Sequence, residues 1–234
     1  MKAIFLADAH LLQPEADNYR RLLGFLKQQR GSLSHLILLG DIFEFWLGYR
    51  HAVFSAYIPL LEELRRQRQA GTELVFVEGN HDFHLGPYFS ETLGCRIFPD
   101  GGTLELDDQR IYIGHGDLVN RADRGYRLLR GVLRSTLSRR LLPLAPVDWA
   151  WKVSRWGSRQ SSSRKDENYR IPEELLVRFA RERFAEGHDV VVLGHYHLPL
   201  IKRIDEKLLL CLGDWIEQDS YGLLEKGVFS LQRA

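Results

Sequence analysis

The stretch Phe76–Leu85, FVEGNHDFHL, runs an apolar strand pattern straight into Asn80, His81, Asp82 and His84. A chain gains nothing in packing by ending an extended hydrophobic run in so many groups that compete for protons, hydrogen bonds or metal. One such cluster could be an ordinary polar loop. The reading turns on whether the rest of the chain repeats it.

It does. Apolar runs suited to strands cover Ala3–Ala7, His35–Leu39, Glu73–Val77, Arg110–Ile113 and Asp189–Leu193. The second, third and fifth are nearly continuous, as expected for strands covered on both faces. Each ends in a polar cluster: "DAH" (Asp8, His10), "GDIFEFW" (Asp41, Glu44), "GNHD" (Asn80, His81, Asp82), "GHGD" (His115, Asp117) and "GHYH" (His195, His197). Helical periodicity fills Asp17–Gln29 and Ile58–Gln69, the latter closed by Gly71, and a third helix runs from Pro172 to Glu186 before Gly187. Strand, helix, strand in succession implies parallel pairing with right-handed crossovers, which lines up the carboxyl ends of those strands along one edge. "TLELDDQRIYIG" and "LPLIKRIDEKLLLCLG" read as hairpins and "KGVFSLQR" as a closing strand. A second, partly antiparallel sheet follows. The expected fold is α/β, a four-layer α/β/β/α sandwich with helices outside two packed sheets.

Composition bounds the rest. At 234 residues and 44% hydrophobic, the chain can bury one substantial core with a smaller appendage. Cys95 and Cys211 lie far apart in apolar runs, which favours buried thiols and a reducing cytoplasm over a disulfide. "MKAIFLADAH" meets Asp8 too early for a signal peptide, and no run reaches the roughly 18 apolar residues of a spanning helix. The net charge of +1 conceals a basic segment: residues 119–170 hold 13 Lys and Arg against 4 Asp and Glu, with Trp149, Trp151 and Trp156 among them. This shift marks a helical insert, 119–170, within a core made of 1–118 and 171–234. In the insert Arg127, Arg130 and Arg134 form one helical stripe, with Leu129, Val132, Leu133 and Leu137 beside it.

A lone His after a strand is usually just a surface histidine, and Gly before Asp is often just a turn. Five clusters at successive strand ends point instead to a shared metal site. Oxygen donors mixed with imidazoles, without cysteine, suit Mn, Fe or Zn, singly or as a mixed pair. Two cations held together need a bridging carboxylate, for which Asp41 is the natural choice, while Asn80 supplies a neutral amide oxygen. Such pairs, ~3.5–4 Å apart, serve in-line phosphoryl displacement.

Asp8-x-His10, Gly40-Asp41, Gly79-Asn80-His81-Asp82, Gly114-His115 and Gly194-His195-x-His197 resemble, in order, the motifs of the calcineurin-like metallophosphoesterases. The resemblance implies one metal on Asp8, His10, Asp41 and His197 and another on Asp41, Asn80, His115 and His195. It also implies that His81 stands beside the metals to hydrogen-bond the phosphate or protonate the leaving oxygen, with Glu44 as its orienting carboxylate. Asp82 and Asp117 are expected to secure turns or to support the ligands from behind, while His84 and Glu105 receive no role.

A closer resemblance, through "FLADAHL", "LLGDIFEFWLG", "GNHDFHLG", "GHGDLVNRADRGY", "GHYHLP" and "LGDW", is to the UDP-2,3-diacylglucosamine hydrolases of lipid A biosynthesis. That likeness implies cleavage of the pyrophosphate to UMP and diacylglucosamine 1-phosphate by two divalent ions, with manganese expected. It implies a helical cap over the acyl chains and a peripheral location on the cytoplasmic face of the inner membrane, with transient membrane contact. Asp123, Ser158, Arg159, Ser162 and Lys165 become candidates for gripping the sugar nucleotide. Tyr126, Leu129, Val132, Leu133, Trp149 and Trp156 become acyl-pocket candidates, with a small hydrophobic core as their rival reading. One position departs: where the well-described hydrolases resemble Gly-Asn-Arg-Asp, residue 81 is His, which can donate a proton near neutral pH as arginine cannot. Two other functions compete. One is a phosphodiesterase or phosphomonoesterase for soluble substrates, and the other a basic module binding lipid or nucleic acid. Nucleic acid is the less favoured partner, since no second nucleic-acid module or long basic arm accompanies the insert, and the sequence sets no oligomeric state.

Overall fold

The computed structural model describes residues 1–149, 151–152 and 172–234. Two sheets form, and their central strands β1, β2, β3 and β7 bury both faces. The first takes β1 (Lys2–Leu6), β2 (His35–Leu38), β3 (Glu73–Val77), β4 (Arg96–Phe98), β10 (Ser220–Glu225) and β11 (Val228–Arg233), ordered β11-β10-β1-β2-β3-β4. Within it β1 to β4 run parallel, and β10 and β11 complete one edge antiparallel. The second takes β5 (Gly102–Leu106), β6 (Gln109–Gly114), β7 (Val190–Leu193), β8 (Pro199–Ile204) and β9 (Lys207–Leu212), ordered β5-β6-β7-β9-β8 with β6, β7 and β9 parallel.

The period-2 alternation of side chains decides the layers. On one face of β1, β2 and β3, Ile4, Leu6, Leu36, Leu38, Leu74 and Phe76 join the apolar sides of α1 (Asp17–Gln29) and α2 (Ile58–Gln69). Their neighbours Phe5, Ile37, Val75 and Val77 point the other way. These meet Ile111, Ile113, Val190, Val192, Leu210 and Leu212 of the second sheet. That sheet turns Val191, Leu193, Leu209 and Cys211 outward to Leu176, Ala180 and Phe184 of the last helix (Glu173–Ala185). Three apolar cores therefore separate four layers, and the expected sandwich is the observed one. Each fully buried Leu, Ile, Val or Phe among them contributes about 1.5–3 kcal/mol relative to exposure.

The helices at 17–29 and 58–69 have the expected bounds; Gly71 follows the second in the left-handed region at φ +97°. Pro172 stands just outside the last helix as its cap rather than in its first turn. Both cysteines are buried and free. Within the insert lie α3 (Arg124–Leu133) and α4 (Thr136–Leu141), and residues 147–149 and 151–152 are helical as well. Among the described residues no helix is long and apolar enough to cross a membrane.

Candidate metal centre

The five ligand clusters sit at the carboxyl ends of β1, β2, β3, β6 and β7, at the end of the sandwich where the strand ends of the two face-to-face sheets lie side by side. Close approach requires glycine. A Cβ on Gly40 would lie 2.6 Å from Gly79 Cα and from His115 Nδ1, and one on Gly194 would lie 2.6 Å from Ala7 Cβ and 2.8 Å from Asp8 Oδ2. The chain then turns through left-handed conformations at residues that are not glycine: Asp8 (φ 53°), His10 (45°), Asp41 (53°), His195 (73°) and His197 (51°). Non-glycine residues pay strain in this region, and such strain gathers where function overrides local preference.

Direct bonds bring the clusters from both sheets together. His115 Nδ1 donates to the Leu39 carbonyl at 2.8 Å, linking the second sheet to the first. The His195 backbone N–H donates to Asp8 Oδ2 at 2.7 Å, and that of His81 to Asp41 Oδ1 at 2.9 Å. Asp82, fully buried, accepts from the backbone N–H groups of Asp41, Ile42, Phe43 and Gly79, so it fixes the turns that carry Asp41 and Asn80. That agrees with a structural role for this residue.

Three histidines commit one ring nitrogen outward and aim the other inward. His115 uses Nδ1 on Leu39 and leaves Nε2 at 2.9 Å from Asn80 Oδ1 and 3.4 Å from Asp41 Oδ2. His10 places Nδ1 3.1 Å from Glu44 Oε2 and Nε2 3.7 Å from Asp41 Oδ2. His197 places Nδ1 3.5 Å from Asp214 Oδ2 and Nε2 3.7 Å from Asp8 Oδ1. An outer carboxylate or carbonyl that orients the ring is the usual support of a metal-ligating histidine. His195 Nδ1 faces His115 Nε2 at 3.2 Å, a meeting of nitrogens that at most one proton can occupy.

The potential ligand atoms fall into overlapping groups, each within 4.8 Å: Asp8, His10 and His197; Asp41, His115 and His195; and His10, Glu44 and His81. The first two groups divide along the lines of the two expected ligand sets. Asp8 Oδ1 is buried without a hydrogen-bond partner, a costly state for a carboxylate oxygen unless a cation satisfies it. Charge balance agrees. Burial opposes a proton on His115, but Asp41, Asp8 and Asp117 outweigh it and push its pKa up to about 10. Burial alone would raise Asp41, but His115, His81 and His10 hold it well below the ordinary value. His195 is brought down to about 4 by burial and by its neighbour His115. Acidic oxygens that draw a proton onto a buried imidazole offer the same attraction to a metal ion. The residues present therefore fit a divalent pair.

Glu44 differs from expectation. Its carboxylate lies nearer His10 than His81, where the separation is 4.0 Å, and it is the Glu44 backbone carbonyl that accepts from His81 Nδ1 at 2.9 Å. The His81 ring is still held by residue 44, through its main chain. Asp214, which follows β9 in "LGDW", is a further functional residue; it repeats the Gly-Asp signal of Gly40-Asp41, by which the sequence marks it. Its carboxylate accepts from three backbone N–H groups beyond His197.

The insert candidates are placed more variously. Asp123 caps α3, accepting from Tyr126 N at 2.9 Å, and Tyr126 donates its hydroxyl to Asp117 Oδ2 at 2.7 Å. Leu129, Val132 and Trp149 are exposed, and Leu133 is half-buried. Trp156, Ser158, Arg159, Ser162 and Lys165 lie outside the described residues.

Comparison with known proteins bears on all of this. The family model for calcineurin-like phosphoesterases matches residues 1–199. A protein of Porphyromonas gingivalis named UDP-2,3-diacylglucosamine hydrolase is 32% identical, covering 95% of this chain and 93% of its own length. Proteins of the same name from Aeromonas salmonicida and Vibrio cholerae are 28% and 27% identical, covering 100% and 99% of this chain and 93% and 100% of their own. Among solved structures, an archaeal phosphodiesterase aligns with a TM-score of 0.50 at 16% identity over 99% of both chains. A Vps29 double mutant from Entamoeba histolytica aligns with a TM-score of 0.50 at 13% identity over 100% of this chain and 98% of its own. At that identity the structural likeness speaks for the fold alone. Because the family match runs through every one of the five strand-end clusters, the chain belongs to the calcineurin-like phosphoesterase family.

Proposed function

We propose that the chain is a UDP-2,3-diacylglucosamine hydrolase, splitting the pyrophosphate of its substrate into UMP and 2,3-diacylglucosamine 1-phosphate. The observation that carries this reading is the convergence of Asp8, His10, Asp41, Asn80, His115, His195 and His197 at one seam, in a chain whose relatives of that name align over nearly its full length. Asp8, His10, Asp41 and His197 would hold one ion and Asp41, Asn80, His115 and His195 the other, manganese being the expected metal. Divalent ions at such a site neutralise phosphate charge and raise the acidity of water. Around them the chain supplies orientation. Asp82 clamps the turns, and Glu44 and Asp214 steer the His10 and His197 rings.

His81 would handle the proton. Burial works against its charge, but Asp41 and Glu44 outweigh it and hold its pKa above the ordinary histidine value. With Nδ1 bound to the Glu44 carbonyl, Nε2 is the nitrogen left to donate to a phosphate oxygen or to the departing oxygen.

The insert would receive the lipid. Leu128, Leu129, Val132, Leu137, Leu141, Leu144 and Trp149 are each more than half exposed, and they make up most of the exposed large hydrophobics of the described chain. Exposed apolar side chains along a basic segment suit acyl chains drawn from an anionic membrane surface, consistent with peripheral attachment at the cytoplasmic face. Phe54, Val147 and Trp151 line a cleft of about 630 Å³ between the insert and the core. We assign the head-group role to Asp123, Ser158, Arg159, Ser162 and Lys165 as the sequence resemblance implies.

A second reading, hydrolysis of soluble phosphodiesters, is favoured by His81 standing where the best-described hydrolases carry arginine. Turnover of UDP-2,3-diacylglucosamine against its deacylated form, with manganese, separates the two. The lipid reading expects strong preference for the acylated substrate; equal turnover rejects it.

A further inference from the structure

The loop that carries Asn80 and His81 is gripped by the insert at a residue no catalytic motif includes. Arg134 follows α3, and its side chain is only 8% exposed. Its Nη2 donates to the Gly79 carbonyl at 2.6 Å and the Glu78 carbonyl at 3.2 Å, and its Nη1 donates to Glu78 Oε2 at 3.3 Å and to the Pro99 carbonyl. Glu78, itself buried, spends its other oxygen on the backbone N–H of Leu85 at 3.0 Å. The Glu78 carboxylate thus closes the base of the 79–85 loop, and Arg134 meets its charge. From the far side of the same loop His84 Nε2 donates to the Leu133 carbonyl at 2.8 Å.

We infer that Arg134 is a positioning residue, coupling the seating of α3 to the placement of the metal ligand Asn80 and the adjacent His81. The inference rests on reading the strand-end cluster as a metal site, and not on the identity of the lipid. The physical reason is that Arg134 is the cationic partner of a buried carboxylate and of two consecutive carbonyls immediately before Asn80. Without it, Glu78 is left buried and uncompensated, and the loop relaxes away from the position that sets the Asn80 amide 2.9 Å from His115 Nε2. A planar guanidinium serves several acceptors at once in a fixed fork; a lysine reaches fewer of them. Coupling of this kind is reciprocal, so metal binding must in turn steady α3.

The test compares wild type, Arg134→Gln and Arg134→Lys. Mn2+ binding is followed by titration calorimetry, folding by circular dichroism, and turnover with bis(p-nitrophenyl) phosphate, a diester too small to need the insert. Arg134→Gln is expected to weaken Mn2+ binding by about 10- to 100-fold, the loss that follows removal of outer partners of metal ligands. Arg134→Lys recovers part of it. Added Mn2+ then restores diester turnover at unchanged KM, whereas a mere substrate-binding role would raise KM whatever the metal concentration. In wild type, Mn2+ slows tryptic cleavage at the arginines of α3, and in Arg134→Gln it does so less. Equal Mn2+ affinity in wild type and folded Arg134→Gln overturns the inference. If Arg134→Gln does not fold, unchanged affinity in Arg134→Lys overturns it in the same way. A wild type that binds no Mn2+ refutes the metal site itself, so the two failures are distinct.

Discussion

Among the strand-end histidines His10, His115 and His197 commit one nitrogen and keep the other for the seam, and this gives a sign to the pH dependence of metal binding. His115 takes its proton with a pKa of about 10, while a metal needs its Nε2 lone pair. Below that value the ion must expel the proton, so affinity rises with pH, by about tenfold per pH unit for one proton. Calorimetry at pH 8 in buffers of different ionisation enthalpy should detect that proton; heats independent of buffer would contradict it. The donors themselves were legible from sequence because each follows an apolar run at once, often with glycine before it, as in Gly40-Asp41 and Gly114-His115. Asp214 and Arg134 were not singled out for these roles, because they act on another residue's ring or loop. A contact at one remove leaves no spacing to read. Glu44 was found, but which of its groups faces His81 depends on the turn at 41–46 and not on residue type.

Among the elements, long periodic segments were read almost to the residue, while β4 and β10 were missed. β4 spans only Arg96–Phe98, too short to show alternation. β10 is interrupted by Gly222, where a Cβ would stand 2.9 Å from Leu212 Cδ2, so tertiary packing and not propensity keeps it a strand. Nothing in the sequence marks His84, yet it fastens the end of α3 to the core and its Nδ1 is buried without a hydrogen-bond partner. Burial lowers its pKa below the ordinary 6.5, against the opposing pull of the Leu133 carbonyl and Glu78. A histidine depressed in the folded state resists the proton that the unfolded chain accepts. Its contribution is therefore complete above pH 6.5 and is lost as pH falls below it. Thermal unfolding of wild type from pH 7.5 to 5.5 should show an acid loss that His84→Gln lacks. Superimposable profiles would contradict this.

On the scale of the whole molecule, the site exists because two sheets packed face to face also align their carboxyl ends. Strands β1, β2 and β3 deliver Asp8, Asp41 and Asn80 from one layer, and β6 and β7 deliver His115 and His195 from the other. Neither sheet alone holds a complete set. The insert then lies where the strand ends open, tied down through Asp117, Tyr126 and Arg130 as well as through Arg134. Anomalous X-ray diffraction from crystals grown with Mn2+ tests the arrangement most directly. Two manganese peaks flanking Asp41, one beside Asp8, His10 and His197 and the other beside Asn80, His115 and His195, are the predicted result. A single peak remote from Asp41, or none at the seam, would contradict it.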